Sequence, residues 1–236
     1  MVSTKCFLLS AAITGWTMMA KAQTAQPSIT FYSQTEKTEQ TMSPGDSQTV
    51  PAPLEISCVA NIDPGSYSYV AEWRIYNSDE GETSPIVTRF DDDITYTLMK
   101  SGGYGVKLYV TFVDERNDSV EYASDPFSIV ISESKLTCTD GLSPNDDNIN
   151  DKLVIEYESI VKASGVIANR WGQVLHHFTL ENLADGWDGK YKGEYVKDGA
   201  YLLHIDAVGS DGLHYSIKKA INVLKGKREG DSTTTY

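Results

Sequence analysis

The feature that most constrains this chain is a two-residue alternation of apolar and polar side chains, repeated in short runs and broken each time by Asp, Gly, Ser or Pro. Runs at 54–62, 69–76, 86–90, 94–98, 104–113 and 127–131 read as strands, because alternate residues of an extended chain face opposite sides. No window sustains the 3.6-residue period of an amphipathic helix. Short strands separated by turn signals, in units of about 100 residues, predict β-sandwiches of the immunoglobulin type. The stretch 23–53, rich in Thr, Ser, Gln and Pro, reads as a loose leader feeding a first strand near 29–32. The expected fold class is all-β, with two immunoglobulin-like β-sandwich domains in series after a cleaved signal peptide.

Residues 1–22 stand apart from this pattern. Lys5 precedes an apolar stretch at 6–20, and Ala20-Lys21-Ala22 fits a small-x-small cleavage site, which together make a secretory signal peptide. As a membrane anchor the stretch would fall short of the roughly 20 apolar residues a span requires, and Thr14, Gly15 and Thr17 interrupt it. Ser3, Thr4 and Lys5 ahead of Cys6 do not form the small-residue lipobox of a bacterial lipoprotein. After cleavage no segment is long and apolar enough to cross a membrane. The chain carries 20 Lys plus Arg against 33 Asp plus Glu, a net −13, and losing residues 1–22 removes Lys5 and Lys21 but no acid, leaving −15. That balance argues against nucleic acid as a partner, since phosphate binding relies on clustered cations.

Cleavage leaves Cys58 and Cys138. An oxidising compartment permits a disulfide, but Cys58 alternates with Leu54, Ile56, Ala60 and Ile62 on one strand face, where a free thiol behaves as a small hydrophobe. Both readings stay open at this point. Neither makes a metal site, because two thiols 80 positions apart with no adjacent His lack ligand spacing.

Between 94 and 112 the chain reads ITYTLMKSGGYGVKLYVTF. Gly102 and Gly103 permit a tight turn, and Tyr104 then opens an alternating strand, a placement suited to a tyrosine corner whose hydroxyl ties back to the main chain. Trp73, in Ala71-Glu-Trp-Arg-Ile75, is the expected core Trp of a facing strand. Residues 27–133 thus resemble the polycystic-kidney-disease and related immunoglobulin-like repeats of bacterial surface proteins. Asn77 to Gly81 stand where those repeats carry an acidic Gly-Asp-Gly turn.

A second pattern starts after a polar joint at 133–139. It comprises Pro144-Asn145-Asp-Asp147-Asn-Ile-Asn150-Asp151, then Asn169-Arg170-Trp171-Gly172, then Trp187-Asp188-Gly189, then Asp198-Gly199-Ala-Tyr201. These are turn-forming clusters between apolar strands: Asn and Asp bond nearby backbone and tolerate left-handed conformations, and Asp-Gly pairs make tight turns. Trp171, Trp187 and Tyr201 are expected to supply aromatic bulk to a small core. The four clusters in this order resemble the gliding-motility-associated C-terminal domain of Bacteroidetes, a type B sorting domain of the type IX secretion system. The resemblance covers about 136–225 and implies passage across the inner membrane, recognition by the type IX secretion machinery in the periplasm, and delivery to the cell surface or the medium. Leu142 replaces the Phe usual in that family, Asp146 and Asn148 replace its glycines, and a polar tail, 226–236, follows where such domains stop.

Asn145, Asp147, Asn150 and Asp151 are also candidate calcium ligands, since hard cations take several closely spaced oxygens. The competing reading is an Asx-rich turn that ties its own backbone, because the Gly and distal Glu of an EF-hand loop are missing. No other cofactor is implied, and the acidic run 91–93 reads as a solvated loop. For catalysis the chain offers little. His176, His177, His204 and His214 fall in or beside strands, and there is no Gly-x-Ser-x-Gly, His-Glu-x-x-His or P-loop. A carboxylate pair drawn from distant strands leaves a small secreted hydrolase as a remote alternative. The division expected is 1–22 signal peptide, 23–135 polar leader and immunoglobulin-like sandwich, 136–225 sorting-like sandwich, and 226–236 polar tail. The function expected is non-catalytic: an exported envelope or cell-surface protein whose first sandwich binds an envelope protein or a carbohydrate. The alternative is a regulator of the secretion machinery, retained in the periplasm, that uses its sorting-like domain as the signal.

Overall fold

A computed structural model of the chain describes residues 23–33 and 36–225. The expected signal peptide and polar tail lie outside the described residues. Among the described residues strands are the dominant regular structure, and the one helical element is a 3-10 turn at Leu183–Asp185. Buried apolar residues form two clusters, one built from residues 29–131 and one from 136–223.

The first cluster is sandwiched between two sheets. One has the order Thr38–Met42, Ser28–Ser33, Leu54–Val59, Asp93–Leu98. The other runs Ser47–Val50, Phe127–Ile131, Gly102–Val113, Ser68–Asn77, Pro85–Arg89, with Ser119–Ala123 folded onto Gly102–Val113. Alternation sets what is inside: Leu54, Ile56 and Cys58 from one sheet meet Ala71, Trp73, Ile75, Val106, Leu108 and Val110 from the other, all buried. Trp73 is the expected core Trp, and its indole N–H donates to the Asp92 carbonyl at 3.1 Å. The Asp92 carboxylate accepts from the Tyr69 hydroxyl at 2.7 Å, so the acidic run 91–93 is tethered to the sandwich rather than simply solvated.

Two details depart from the sequence expectation, and one alternative left open is decided. The leader is not loose, because Thr38–Met42 and Ser47–Val50 are strands. They are polar edge strands held by backbone pairing, antiparallel to Ser28–Ser33 and parallel to Phe127–Ile131, so they show little apolar alternation. Gly102 and Gly103 already belong to the strand Gly102–Val113. Cys58 and Cys138 are both free thiols, and burial pushes the Cys58 thiol up to about 12.

The second cluster lies against a five-stranded sheet of order Gly141–Leu142, His214–Val223, Gly199–Gly209, Ile160–Ala168, Val174–Thr179. Its other side is closed by the pair Lys135–Cys138 and Ile155–Glu158, and by a bridge between Leu153 and Trp187. Both sandwiches turn the same corner. Tyr104 Oη donates to the Lys100 carbonyl at 2.9 Å and Tyr201 Oη to the Lys197 carbonyl at 2.6 Å. Each Tyr follows by two positions a glycine at positive φ, Gly102 at 126° and Gly199 at 148°, a conformation that disfavours side chains. Lys-Ser-Gly-Gly-Tyr and Lys-Asp-Gly-Ala-Tyr are therefore one device used twice. Only Tyr104 was expected to play it.

Serines join the two units. Ser159, 1% exposed and at φ 49°, accepts on Oγ from the Ala52 amide at 3.2 Å and shares a hydrogen bond with Ser132 Oγ at 2.8 Å. Its carbonyl accepts from the Ser210 amide, whose own carbonyl accepts from the Ser101 amide. Val161 packs against the first core. These contacts hold one end of the second sheet, where Ile160 pairs with Gly209. They leave its other end, where Ala168 pairs with Leu202 and Gly199 with Val223, about 30 Å away along an 11-residue strand.

Candidate functional site

The sequence clusters singled out in the second half gather at that free end. The loop 145–151 is organised by Asp151. Its Oδ1 accepts from the amides of Asn145 and Asp146 at 2.9 Å each, and its Oδ2 from that of Asn148 at 2.8 Å. Asn145 Oδ1 accepts from the Asp147 amide, Asn145 Nδ2 donates to Asp147 Oδ2, and Asp147 Oδ1 accepts from the Ile149 amide. Asp146, Asn148 and Asn150 take positive φ of 66°, 65° and 55°, which Asx residues tolerate. Pro144, ahead of the loop, is buried.

This geometry bears on the calcium candidates. The Asp151 oxygens are aimed at backbone N–H groups, the environment of an anion rather than of a cation ligand. Among the described residues no group of three or more His, Cys, Asp or Glu is placed to hold a metal ion. These bonds make the loop an Asx-tied turn. Desolvation raises the Asp151 carboxyl, but the amides of Asn145, Asn148, Asp146 and Asp147 outweigh it and hold the group below the usual carboxylate range. A folded pKa below the unfolded one gives stability that is present above the unfolded value and lost as pH falls through the folded value. On acidification from pH 7 to about 3, the wild-type second sandwich is expected to lose more thermal stability than Asp151→Asn, which starts from a lower midpoint at pH 7. Thermal unfolding at both pH values checks this, and equal acid sensitivity of the two proteins would refute it.

The second cluster is a closed turn. Asn169 Oδ1 accepts from the Trp171 and Gln173 amides at 3.0 Å each, Asn169 Nδ2 donates to Gln173 Oε1 at 3.0 Å, and the Gly172 amide, at φ 80°, donates to the Asn169 carbonyl. Trp171 is 75% exposed, so the expectation that it fills the core is corrected. The turn closes on Asn169 and projects the second residue after it into solvent, where the Arg170 guanidinium lies 4.2 Å from the ring centroid.

Trp187 does fill the core. It is 1% exposed, donates from Nε1 to the Lys190 carbonyl at 3.0 Å, and meets Tyr201 edge to face at 5.7 Å. Asp188 Oδ1 accepts from the Lys190 amide, closing the Asp-Gly turn. Gly189 lies so close to Leu142 and Pro144 that a Cβ there would come within 3.2 Å of both. Asp198 Oδ1 accepts from the Lys225 amide at 3.2 Å, which pins the end of the described chain at the same edge.

Side chains outside the four clusters tie them together, and the sequence reading did not single these out. Tyr195 Oη donates to Asp146 Oδ1 at 3.2 Å, and Gln173 Nε2 reaches Tyr191 Oη at 3.4 Å. Both tyrosines lie on the small hairpin formed by Lys190–Tyr191 and Glu194–Tyr195. The signal for that hairpin was Tyr191 and Tyr195 placed in short runs of charged residues on either side of Gly193.

A hydrolytic centre would need a nucleophile, a base and an orienting acid in that order. On the outer face of the five-stranded sheet, His204 Nε2 lies 2.9 Å from Asp206 Oδ2, and Asp206 also accepts from Ser216, the bond that does most to hold its carboxyl low. The acid stands between serine and imidazole, so the imidazole is not placed to take the serine proton. His176 and His177 lie in the strand Val174–Thr179, and His214 opens its own strand.

Comparison with known proteins gives the second sandwich its kind. A family model described as CHU_C Type IX secretion signal domain matches residues 136–223. No curated protein matches the chain. Among solved structures, fibronectin(III)-like modules of Clostridium thermocellum CbhA align at 13% identity over 88% of this chain and 99% of theirs, with a TM-score of 0.24. Dimeric latent PorU from Porphyromonas gingivalis aligns at 14% identity over 85% of this chain and 20% of its own, TM-score 0.26. SGBP-B of a Bacteroides ovatus mixed-linkage glucan utilization locus, solved with a mixed-linkage heptasaccharide, aligns at 14% identity over 75% and 42%, TM-score 0.25. The architecture described above rests on the chain's own strands and cores rather than on these alignments. The matched family is a secretion signal, a non-catalytic kind of domain, and among the described residues no helix is long and apolar enough to cross a membrane. Residues 136–223, the sandwich whose free end carries the four clusters, match the CHU_C type IX secretion signal domain.

Proposed function

We propose that the chain is a non-catalytic envelope or cell-surface protein, carried across the outer membrane by recognition of residues 136–225 and displaying residues 27–133 as a binding module for an envelope protein or a carbohydrate. The observation that carries this reading is the family match over 136–223. It is supported by the placement of the four clusters at the end opposite the serine joint, where the first sandwich does not cover them.

The test is fractionation with surface protease shaving of three forms: the full chain, a form lacking 136–225, and a form lacking only 226–236. The full chain is expected outside the cell, and the form lacking 136–225 in the periplasm with its first sandwich folded. Identical distribution of these two would refute the export role. A periplasmic full chain whose loss disturbs the export of other proteins would favour a regulator of the machinery instead. The form lacking 226–236 reports whether the tail blocks or permits sorting.

A further inference from the structure

Trp171 is held out, not merely left out. Leaving most of an indole in water forgoes the gain of burying a large apolar ring, yet two amides bonded to Asn169 Oδ1 and the Asn169–Gln173 side-chain bond fix the turn that projects it. Beside it opens a cleft of about 550 Å³, lined in part by Gln173, Tyr191, Lys197 and Tyr201. Three cations sit over rings at this end: Arg170 over Trp171 at 4.2 Å, Lys190 over Tyr195 at 4.6 Å and Lys192 over Tyr191 at 5.2 Å. They stand out in a chain of net charge −13, although Lys190 also lies 3.8 Å from Asp188.

We infer that the Arg170–Trp171 turn and the cleft beside it are the surface by which a protein component of the export machinery grips the second sandwich, with an apolar pocket for the indole and carboxylates for the cations around it. This rests on the export reading above and specifies where that domain is read. Trp, Arg and Tyr are the residues that dominate binding energy at protein interfaces, and a turn already locked in its projecting form binds without the cost of ordering it. A sugar platform wants bare ring faces. Here each of the three rings has a cation over one face, which favours a carboxylate-bearing partner. The position also suits an external partner, since the serine joint occupies the opposite end of the sheet.

The test compares full-length Trp171→Ala, Arg170→Glu and Trp171→Phe with wild type and with the form lacking 136–225, measuring surface-exposed protein by protease shaving. Trp171→Ala and Arg170→Glu are each expected to reduce surface protein by roughly tenfold or more and to accumulate in the periplasm, with Trp171→Phe recovering part of the loss. Their purified forms should unfold at the wild-type midpoint, which separates lost recognition from lost folding. If Trp171→Ala and Arg170→Glu are exported normally while removal of 136–225 abolishes export, the inference is overturned and the export reading stands. If removal of 136–225 also leaves export unchanged, both fall. If Trp171→Ala is exported normally but loses binding to surface polysaccharide isolated from the same cells, the turn is a glycan platform and the protein-partner inference is overturned.

Discussion

Replacing Trp187 by Ala is expected to destabilise the second sandwich by about 3 kcal/mol or more, the usual cost of deleting a buried indole. The core there is small, with Phe178, Trp187 and Tyr201 as its buried aromatics. Trp187 is the largest of them and makes the edge-to-face contact with Tyr201. Its backbone is also committed, because its carbonyl accepts from the Leu153 amide at 2.8 Å and its amide donates back at 3.2 Å. Loss of the ring would open a cavity beneath this bridge and remove the donor that satisfies the Lys190 carbonyl. His204→Ala, whose side chain is 41% exposed on the outer sheet face, is expected to cost no more than about 0.5 kcal/mol. Denaturant unfolding of the two variants decides the matter, and equal midpoints would show that Trp187 does not organise the core.

Trp171 and Trp187 show how far a sequence carries and where it stops. Both precede a glycine by one or two positions and both look like core aromatics. What separates them is the hydrogen bonding of the turn, since Asn169 closes its turn on itself whereas Trp187 pairs with Leu153 in an isolated bridge over the core. The alternating strands, Trp73 and the Tyr104 corner were legible because period-two burial and a Gly-x-Tyr turn leave direct marks on sequence. The polar strands Thr38–Met42 and Ser47–Val50 were not, since backbone pairing at a sheet edge asks little of side chains. Nor was the serine joint, in which residues 52, 132, 159 and 210, far apart in sequence, meet in the folded chain. The four clusters were legible as turns and as a family resemblance. Their convergence on one free end depends on Tyr191, Tyr195 and Gln173, which that pattern did not contain.

The export role of residues 136–225 is tested most directly by moving them. A folded reporter with a secretory signal peptide alone goes no further than the periplasm of a two-membrane cell. With residues 136–225 joined to its C-terminus the reporter is expected to reach the cell surface or the medium, and the Trp187→Ala version, lacking a stable core, to stay behind. Because those residues hold a hydrophobic cluster of their own, the transplanted unit carries the packing it needs, and its folding is checked on the purified fusion by near-ultraviolet circular dichroism. A correctly folded fusion that remains periplasmic, whether its chain ends at Lys225 or at Tyr236, would contradict the assignment of this sandwich as the signal that carries the protein out.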